Sequence, residues 1–271
     1  MRYREYFPGD ILKQYVQCYF TCESDTAVVV EDKVYATGFV EIMFNLGIDS
    51  PQKIENGGLV NEPYVQLWGQ TIRPFTFTSI GKHTMLGVRF FTHTAACFFD
   101  EPIETFNDQV IDFNDIAGKD GRLFYMKLRE AGTLDKRVRL VEEFLLVRLS
   151  CFGPKLAKLT LMNSIIHELS HDDFFENINS VAARYGLSSR YLQKIFLTYS
   201  GLSPNLFSKI TRFQKALKMV TKKELSLTAI AYECGYYDQS HFIKDFKCFT
   251  GFVPSHFHPE SSTDFIASLA G

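Results

Sequence analysis

The pattern of hydrophobic and polar positions changes its period along the chain. Residues 1 to about 125 hold short runs of β-branched and aromatic residues, separated by breaks such as NGG, RPF and GKH. This pattern predicts an antiparallel sheet, sandwich- or barrel-like. The predicted strand segments are TAVVV, VYATGFVEIMFNLG, YVQLWGQ, FTFTSIG and TMLGVRFF, and the predicted short helices or helix starts are PGDILKQYVQCYF and HTAACFFDEPI.

A helical period begins in TLDKRVRLVEEFLLVRLS, which predicts a helix ending at about residue 150. Its apolar residues follow a 4-3-4 spacing, a heptad-like seam of barely two repeats, formed by Leu134, Val138, Val141 and Leu145. Such a seam can pair with another subunit or pack on the chain's own sheet. The segment CFGPK, residues 151–155, predicts a linker.

Two stretches of the C-terminal part repeat one another. Four residues of the first stretch recur 50 residues later, in the pairs Leu192/Phe242, Phe196/Phe246, Gly201/Gly251 and Pro204/Pro254. Three upstream residues recur 49 residues later, in the pairs Val181/Ile230, Ala182/Ala231 and Gly186/Gly235. Because the one-residue difference falls in a turn, which can absorb it, the pattern indicates repeated structure.

Each copy predicts a helix, a tight turn and a second helix. Gly186 can adopt the positive φ that ends the first helix, and Ser188 or Ser189 can cap the next one. In the second copy, Tyr237 and Asp238 occupy the capping region.

The segment Ser203 to Val220 predicts one helix that links the two copies, with Ser203 as its cap and Pro204 as its first residue. At about 1.5 Å per residue, it spans roughly 26 Å. With the half-widths of the units added, the two second helices would lie about 34 Å apart, which is one turn of B-DNA.

The segments LSSRYLQKIFLTYSGLSP, RFQKALKMV and IAYECGYYDQSHFIKDFKCFTGFVPSHF resemble the C-terminal DNA-binding domain of AraC/XylS-type bacterial transcription regulators. The resemblance covers about residues 158–258, with His258 where such domains usually carry an arginine. It implies a regulator that binds double-stranded DNA and RNA polymerase, with an N-terminal domain that senses a small-molecule effector or mediates dimerisation. Because the family often dimerises through this half, we favour a homodimer.

The outward positions of the two second helices are the candidate DNA contacts. Arginine can bind guanine bidentately, and glutamine can pair with adenine in the same way. The candidates are Ser188, Ser189, Arg190, Gln193 and Lys194 in the first unit, and Asp238, Gln239, Ser240, Ile243, Lys244 and Lys247 in the second. Asp238 suits a helix cap or an acceptor from cytosine. On the linking helix, the phosphate candidates are Lys209, Arg212 and Lys215, for which a solvated face is the alternative.

Charge supports this division of the chain. Residues 1–154 carry 16 Lys+Arg against 21 Asp+Glu, and residues 155–258 carry 13 against 8. A basic C-terminal part behind an acidic front is typical of a nucleic-acid module with a separate partner domain. No apolar run approaches the roughly 18 residues that span a bilayer, and the N-terminus lacks the apolar core of a signal peptide. We therefore predict a cytoplasmic protein without a membrane partner.

The predicted strands also hold polar and amphipathic residues that could line a ligand pocket, because the mouth of a β-barrel is a common small-molecule site. These residues are Glu41, Trp68, Arg73, His83 and Arg89. The alternative is that they satisfy one another's hydrogen bonds or lie on the outer face.

A competing motif is HELSH, residues 167–171, which matches the H-E-x-x-H zinc pattern. Two histidines one helical turn apart could bind zinc, with Glu168 as the base. The glycine and third histidine that complete a metzincin motif are absent from the following DDFFENINSV, so we predict no enzyme, no metal and no cofactor. A further alternative is an interaction adaptor that keeps the helix-turn-helix shape without binding DNA.

The overall prediction is an α+β protein of two domains. A mostly antiparallel β domain with helices, for sensing or dimerisation, occupies residues 1–150. After the linker at 151–155, an all-α DNA-binding domain occupies 156–258, with two helix-turn-helix units joined by a long helix. Residues 259–271 form a tail.

Overall fold

The computed structural model describes residues 2–47, 51–55, 58–151, 158–170 and 178–258. Their N-terminal part forms an antiparallel sheet with the strand order β1-β2-β7-β3-β6-β8, and the β4–β5 hairpin pairs with the far end of β7. The strands are β1 Arg2–Tyr6, β2 Val16–Val34, β3 Val40–Asn45, β4 Gln52–Glu55, β5 Gly58–Asn61, β6 Val65–Trp68, β7 Phe75–Phe90 and β8 Val110–Asp112. The prediction of an antiparallel β domain is confirmed.

The segments FTFTSIG and TMLGVRFF form one continuous strand, β7, although GKH was expected to separate them. Gly81 and His83 stay in register with Val28 and Ser24 of β2. The irregularity lies on β2, which has three residues between these partners where β7 has one. A bulge therefore absorbs the mismatch, and the glycine does not end the strand.

The two predicted short helices in the front domain are smaller than expected. In PGDILKQYVQCYF, one 3-10 turn forms at Leu12–Gln14, and β2 begins at Val16. The helix prediction for the rest of this segment is wrong, because its residues pair with the end of β7. HTAACFFDEPI contains the 3-10 helix Ala95–Cys97, and a second one, Ile103–Phe106, starts at its last residue.

Two long helices, α1 Phe113–Glu130 and α2 Leu134–Cys151, pack on one face of the sheet. Phe124 contacts Phe44 of β3 edge-on at 5.5 Å and stacks on Phe144 at 4.3 Å between ring centroids. The predicted seam faces inward, because Val141 and Leu145 are each 1% exposed. Of the two alternatives for the seam, it packs on its own chain.

The C-terminal part is helical. Its helices are α3 Leu159–Leu169, α4 Ile178–Arg184, α5 Ser189–Ser200, α6 Pro204–Lys222, α7 Leu227–Glu233 and α8 Gln239–Thr250. The linking helix, α6, is confirmed: Ser203 accepts a hydrogen bond from the Leu206 amide, and Pro204 is the first residue. Cys151 still belongs to α2, whereas the rest of the predicted linker and the tail lie outside the described residues. The domain limits stay a prediction.

The two helical units have matching cores. Leu192 and Phe196 of α5, and their repeat partners Phe242 and Phe246 of α8, are each 0% exposed. Gly186 and Gly235 both adopt positive φ, 65° and 70°, at the turn between the paired helices. The repeat in the sequence is therefore a repeat in structure. No described helix has the length and apolar character needed to cross a membrane.

The sheet domain contacts both units. Near the first unit, the Asn107 amide donates to the Gly201 carbonyl at 2.8 Å, and the Gln70 amide donates to the Ser200 carbonyl. Near the second unit, Phe257 contacts the Tyr35 ring edge-on at 5.6 Å between centroids. These contacts leave the polar faces of α5 and α8 uncovered.

Candidate nucleic-acid interface

The polar face of α5 is built by local rules. Ser188 caps the helix by accepting a hydrogen bond from the Tyr191 amide at 3.2 Å, and Gly201 ends it at φ 69°. Because Leu192 and Phe196 are buried on one side, the opposite side is open. That side holds Arg190, Gln193 and Lys194, all exposed.

The polar face of α8 follows the same plan. The Asp238 carboxylate accepts from the His241 amide at 2.8 Å, so its role as a cap is observed. Ser240, Lys244 and Lys247 are exposed. Two candidates differ from the rest: Gln239 is half-buried and hydrogen-bonded within its unit, and Ile243 is half-buried against the core.

The three cations of the linking helix contact the second unit. The Lys215 ammonium donates to the Glu233 carbonyl at 2.6 Å, and Arg212 donates to the Gly235 carbonyl at 3.4 Å and lies over the Tyr236 ring. The Glu233 carbonyl is the last of α7 and the Gly235 carbonyl lies two residues beyond it, at the end where a helix attracts positive charge. Lys209 is 3.7 Å from the Asp245 carboxylate and half exposed. Two of the three cations thus join α6 to α7, which the sequence had not indicated.

Several interface residues were not predicted. Tyr237, placed only in the capping region, is 84% exposed beside the first turn of α8. Asn179 and Thr228, on the first helices of the two units, bind residues at the start of α5 and α8. The sequence contained a signal for Asn179 and Thr228, because both are polar residues at matching positions of the repeat.

Four of the five pocket candidates in the sheet domain are buried. The Arg89 guanidinium donates to Glu41 at 2.6 Å, to Glu5 at 3.3 Å and to the Tyr3 hydroxyl at 3.4 Å. Trp68 lies opposite Glu41 in the β3–β6 register. This arrangement matches the alternative in which the polar residues satisfy one another's hydrogen bonds.

His83, the fourth buried candidate, and Arg73, the exposed one, lie in different surroundings. His83 is buried on β7, and its burial lowers its pKa below the usual value. Arg73 is exposed in the loop before β7, where its backbone amide donates to Asp108 at 2.9 Å.

The competing zinc motif is only partly described. His167 is exposed near the end of α3, and the Glu168 carboxylate accepts a hydrogen bond from Arg184. His171 lies outside the described residues. Within the ranges that the structure describes, no group of three or more His, Cys, Asp or Glu residues is placed to hold a metal ion.

Two family models match separate parts of the chain. Residues 4–112 match a domain of unknown function (DUF6597), which corresponds to strands β1 to β8. Residues 181–259 match a helix-turn-helix domain, which covers the second unit and the first unit from the middle of α4 onward. The C-terminal region is therefore similar to a helix-turn-helix domain. The resemblance seen in the sequence is thereby confirmed.

Curated relatives support the helix-turn-helix domain. The HTH-type transcriptional activator RhaS of Escherichia coli (strain SE11) is 28% identical over 117 residues, which are 42% of this chain and 42% of RhaS. RhaS of Escherichia coli (strain K12 / DH10B) gives the same values. The chain thus matches less than half of the length of these relatives.

Solved structures show a more distant likeness. ToxT from Vibrio cholerae O395 is 15% identical, covers 93% of this chain and 97% of its own, and has a TM-score of 0.40. The C-terminal domain of the response regulator yesN from Fusobacterium nucleatum is 26% identical, covers 36% and 94%, and has a TM-score of 0.32.

Proposed function

We propose that this chain is a sequence-specific DNA-binding transcription regulator in which α5 and α8 read the duplex. We call these two the reading helices. The observation that carries the proposal is the duplicated unit, because each copy buries one face of its second helix and exposes a polar face. Helices of this kind enter the major groove of DNA with their N-terminal residues at the base edges.

The linking helix supports simultaneous reading by both units. It has 19 residues, which correspond to about 28 Å at the rise of an α-helix. Two helices in successive major grooves on one face of the duplex lie about 34 Å apart. The width of the units beyond the ends of α6 makes up the difference.

The polar side chains of the two reading helices have distinct roles in this proposal. Arg190 and Gln193 on α5, and Gln239 on α8, have the donor and acceptor groups that recognise base edges. Lys194, Lys244 and Lys247 are exposed cations suited to phosphates. The excess of basic residues in positions 155–258 favours the approach of a polyanion.

Regulation is assigned to the sheet domain, because it contacts both units and a change in it would reach both reading helices. A small-molecule effector would bind among the pocket candidates, for which Glu41, Trp68, His83 and Arg89 remain the proposal. The AraC resemblance also implies RNA polymerase as a partner and a bacterial cytoplasmic setting. No enzymatic step is part of this function.

Dimerisation is the other proposed role of the sheet domain. Because the predicted seam is buried, a homodimer through α1 and α2 would use their outward apolar residues, Leu123, Met126 and Val147, which are 58%, 59% and 66% exposed.

Binding-site selection from a random duplex library with the purified full chain tests the proposal. We expect a site with two short blocks about 10 base pairs apart. Arg190→Ala should relax the base preference of one block only, at a cost of about 1–3 kcal/mol if a bidentate contact is lost. Gln239→Ala should relax the other block.

Two outcomes would favour the alternatives. An affinity for random duplex no higher than that of an acidic control protein, with no enriched sequence, would favour an interaction adaptor. Stoichiometric zinc that is lost in the His167→Ala variant would favour a metal-dependent hydrolase.

A further inference from the structure

Both units contain the same polar contact between their two helices. In the first unit, the Ser189 hydroxyl donates to the Asn179 side-chain oxygen. In the second, the Thr228 hydroxyl donates to the Gln239 side-chain oxygen at 3.0 Å. Asn179 and Thr228 are each the second residue of the first helix, and Ser189 and Gln239 are each the first residue of the reading helix. The contact therefore joins equivalent positions in the two copies of the repeat.

The burial of these residues argues against a role in the core. Asn179 and Thr228 are exposed, and Ser189 and Gln239 are only half-buried. A hydrogen bond at such a site exchanges with water and contributes little net stability. The packing of each unit is already provided by its buried pair, such as Phe242 and Phe246.

The position of the contact points to DNA recognition. The first residues of a recognition helix are those that meet base edges. A long side chain such as glutamine has many rotamers in water, and ordering it on DNA costs conformational entropy. A contact that orders it beforehand lowers this cost and limits the base edges it can match.

We propose that Asn179 and Thr228 are positioning residues for sequence reading, each of which orients the first side chain of the adjacent reading helix. This inference rests on the proposed function. It assigns specificity to two residues on the helices that precede α5 and α8, outside the faces that meet base edges.

The two contacts leave different groups for the bases. Ser189 uses its only proton on Asn179, so its oxygen presents acceptor lone pairs, which suit the amino groups of adenine or cytosine. Gln239 uses one lone pair of its oxygen on Thr228 and keeps the other, together with its amide N–H groups. That combination suits the bidentate pairing with adenine. The two blocks of the site should accordingly differ in their base preference.

The test uses Thr228→Val in the full chain, which removes the hydroxyl and keeps the shape. Binding-site selection, and affinities for the best site and for one altered in the second block, should show a roughly three- to tenfold loss of discrimination in that block. The first block and the thermal midpoint should be unchanged. Thr228→Ser keeps the hydroxyl, so this variant should retain the discrimination of the wild-type chain. Thr160→Val, at the exposed second residue of α3, is the matched control.

A double variant separates positioning from direct contact. If Thr228 acts through Gln239, Thr228→Val should have no further effect in a Gln239→Ala background. An equal loss in both backgrounds would overturn the inference and assign Thr228 to its own contact. Asn179→Ala and Ser189→Ala should likewise be non-additive, with effects confined to the first block.

The outcomes also separate this inference from the proposed function. If the wild-type chain selects no sequence, the proposed function fails. If the wild-type chain selects two blocks and Gln239→Ala relaxes the second, but Thr228→Val does not, only the positioning role is overturned.

Discussion

At the residue scale, Gly201 and Gly251 offer a natural comparison. They end the two reading helices in the same left-handed conformation, with φ of 69° and 80°. A β-carbon at Gly251 would meet nothing within 4 Å, whereas one at Gly201 would lie 2.9 Å from Ile103 Cγ2 and 3.0 Å from the Glu104 nitrogen. The two glycines share a backbone requirement and differ in their packing against the sheet domain.

We expect Gly251→Ala to lower the free energy of unfolding by about 1 kcal/mol, because a β-carbon is disfavoured at positive φ. Gly201→Ala should lower it by more, since alanine must also displace the chain near residues 103–104. Urea denaturation of both variants measures the difference, which isolates the packing between the domains. Equal losses would contradict the tight contact at Gly201.

Residues governed by local rules could be predicted from the sequence. The caps Ser203 and Asp238 are examples, because a cap depends only on the first turn of its own helix. The repeat marks Thr228 as a polar position that matches Asn179. Its contact with Gln239 could not be predicted, since that contact depends on how two helices are placed relative to each other. For Arg89 and Glu41, the sequence left two alternatives open, a ligand pocket or residues that satisfy hydrogen bonds, because it does not show that each residue is the other's partner.

At the element scale, the linking helix has a second role. Lys215 donates to the Glu233 carbonyl at the end of α7, so α6 fixes the orientation of the second unit as well as its distance from the first. Lys244 of α8 is exposed and lies on the proposed DNA face. Comparing these two lysines separates a structural cation from a phosphate contact.

We expect Lys215→Met to lower the free energy of unfolding by about 1 kcal/mol, because it removes a hydrogen bond from a charged donor. It should leave the salt dependence of DNA binding nearly unchanged. Lys244→Met should have little effect on stability and should reduce the slope of log affinity against log salt by about 0.9. Affinities measured at several salt concentrations, beside urea curves, check both. The reverse assignment of effects would show that Lys215 binds phosphate.

Elements were predicted correctly where one apolar pattern continues over many residues. They were not where the neighbouring element in the fold decides the structure. The helix α6 follows one apolar period from its cap at Ser203. The seam on α2 was ambiguous, because the same spacing suits a second subunit or the chain's own sheet. Val141 and Leu145 are buried in the core of the chain itself. The strand β7 continues through Gly81 because β2 bulges opposite it, which a single strand's sequence does not show.

At the scale of the whole molecule, the contacts between the domains join residues far apart in the chain. The Gln214 amide on α6 donates to the Ala36 carbonyl, and Lys33 lies 4.3 Å from the centre of the Phe252 ring. Asn107 and Gly201 are separated by 94 positions. No periodicity encodes such pairs, so the placement of the two domains could not be predicted.

These contacts predict that the two domains unfold together. Trp68 is the chain's one tryptophan and lies in β6, so its fluorescence reports the sheet domain, whereas far-UV circular dichroism reports chiefly the helices. In the wild-type chain, the two urea transitions should coincide, as in a two-state unfolding.

The double variant Gln70→Ala and Asn107→Ala removes two hydrogen bonds to the end of α5, and its transitions should separate. Asn205→Ala, an exposed residue of α6, is the control and should keep them coincident. Separate transitions in the wild-type chain would mean that the sheet domain does not stabilise the helical units that carry the reading helices. A change in the sheet domain would then not reach the reading helices through these contacts.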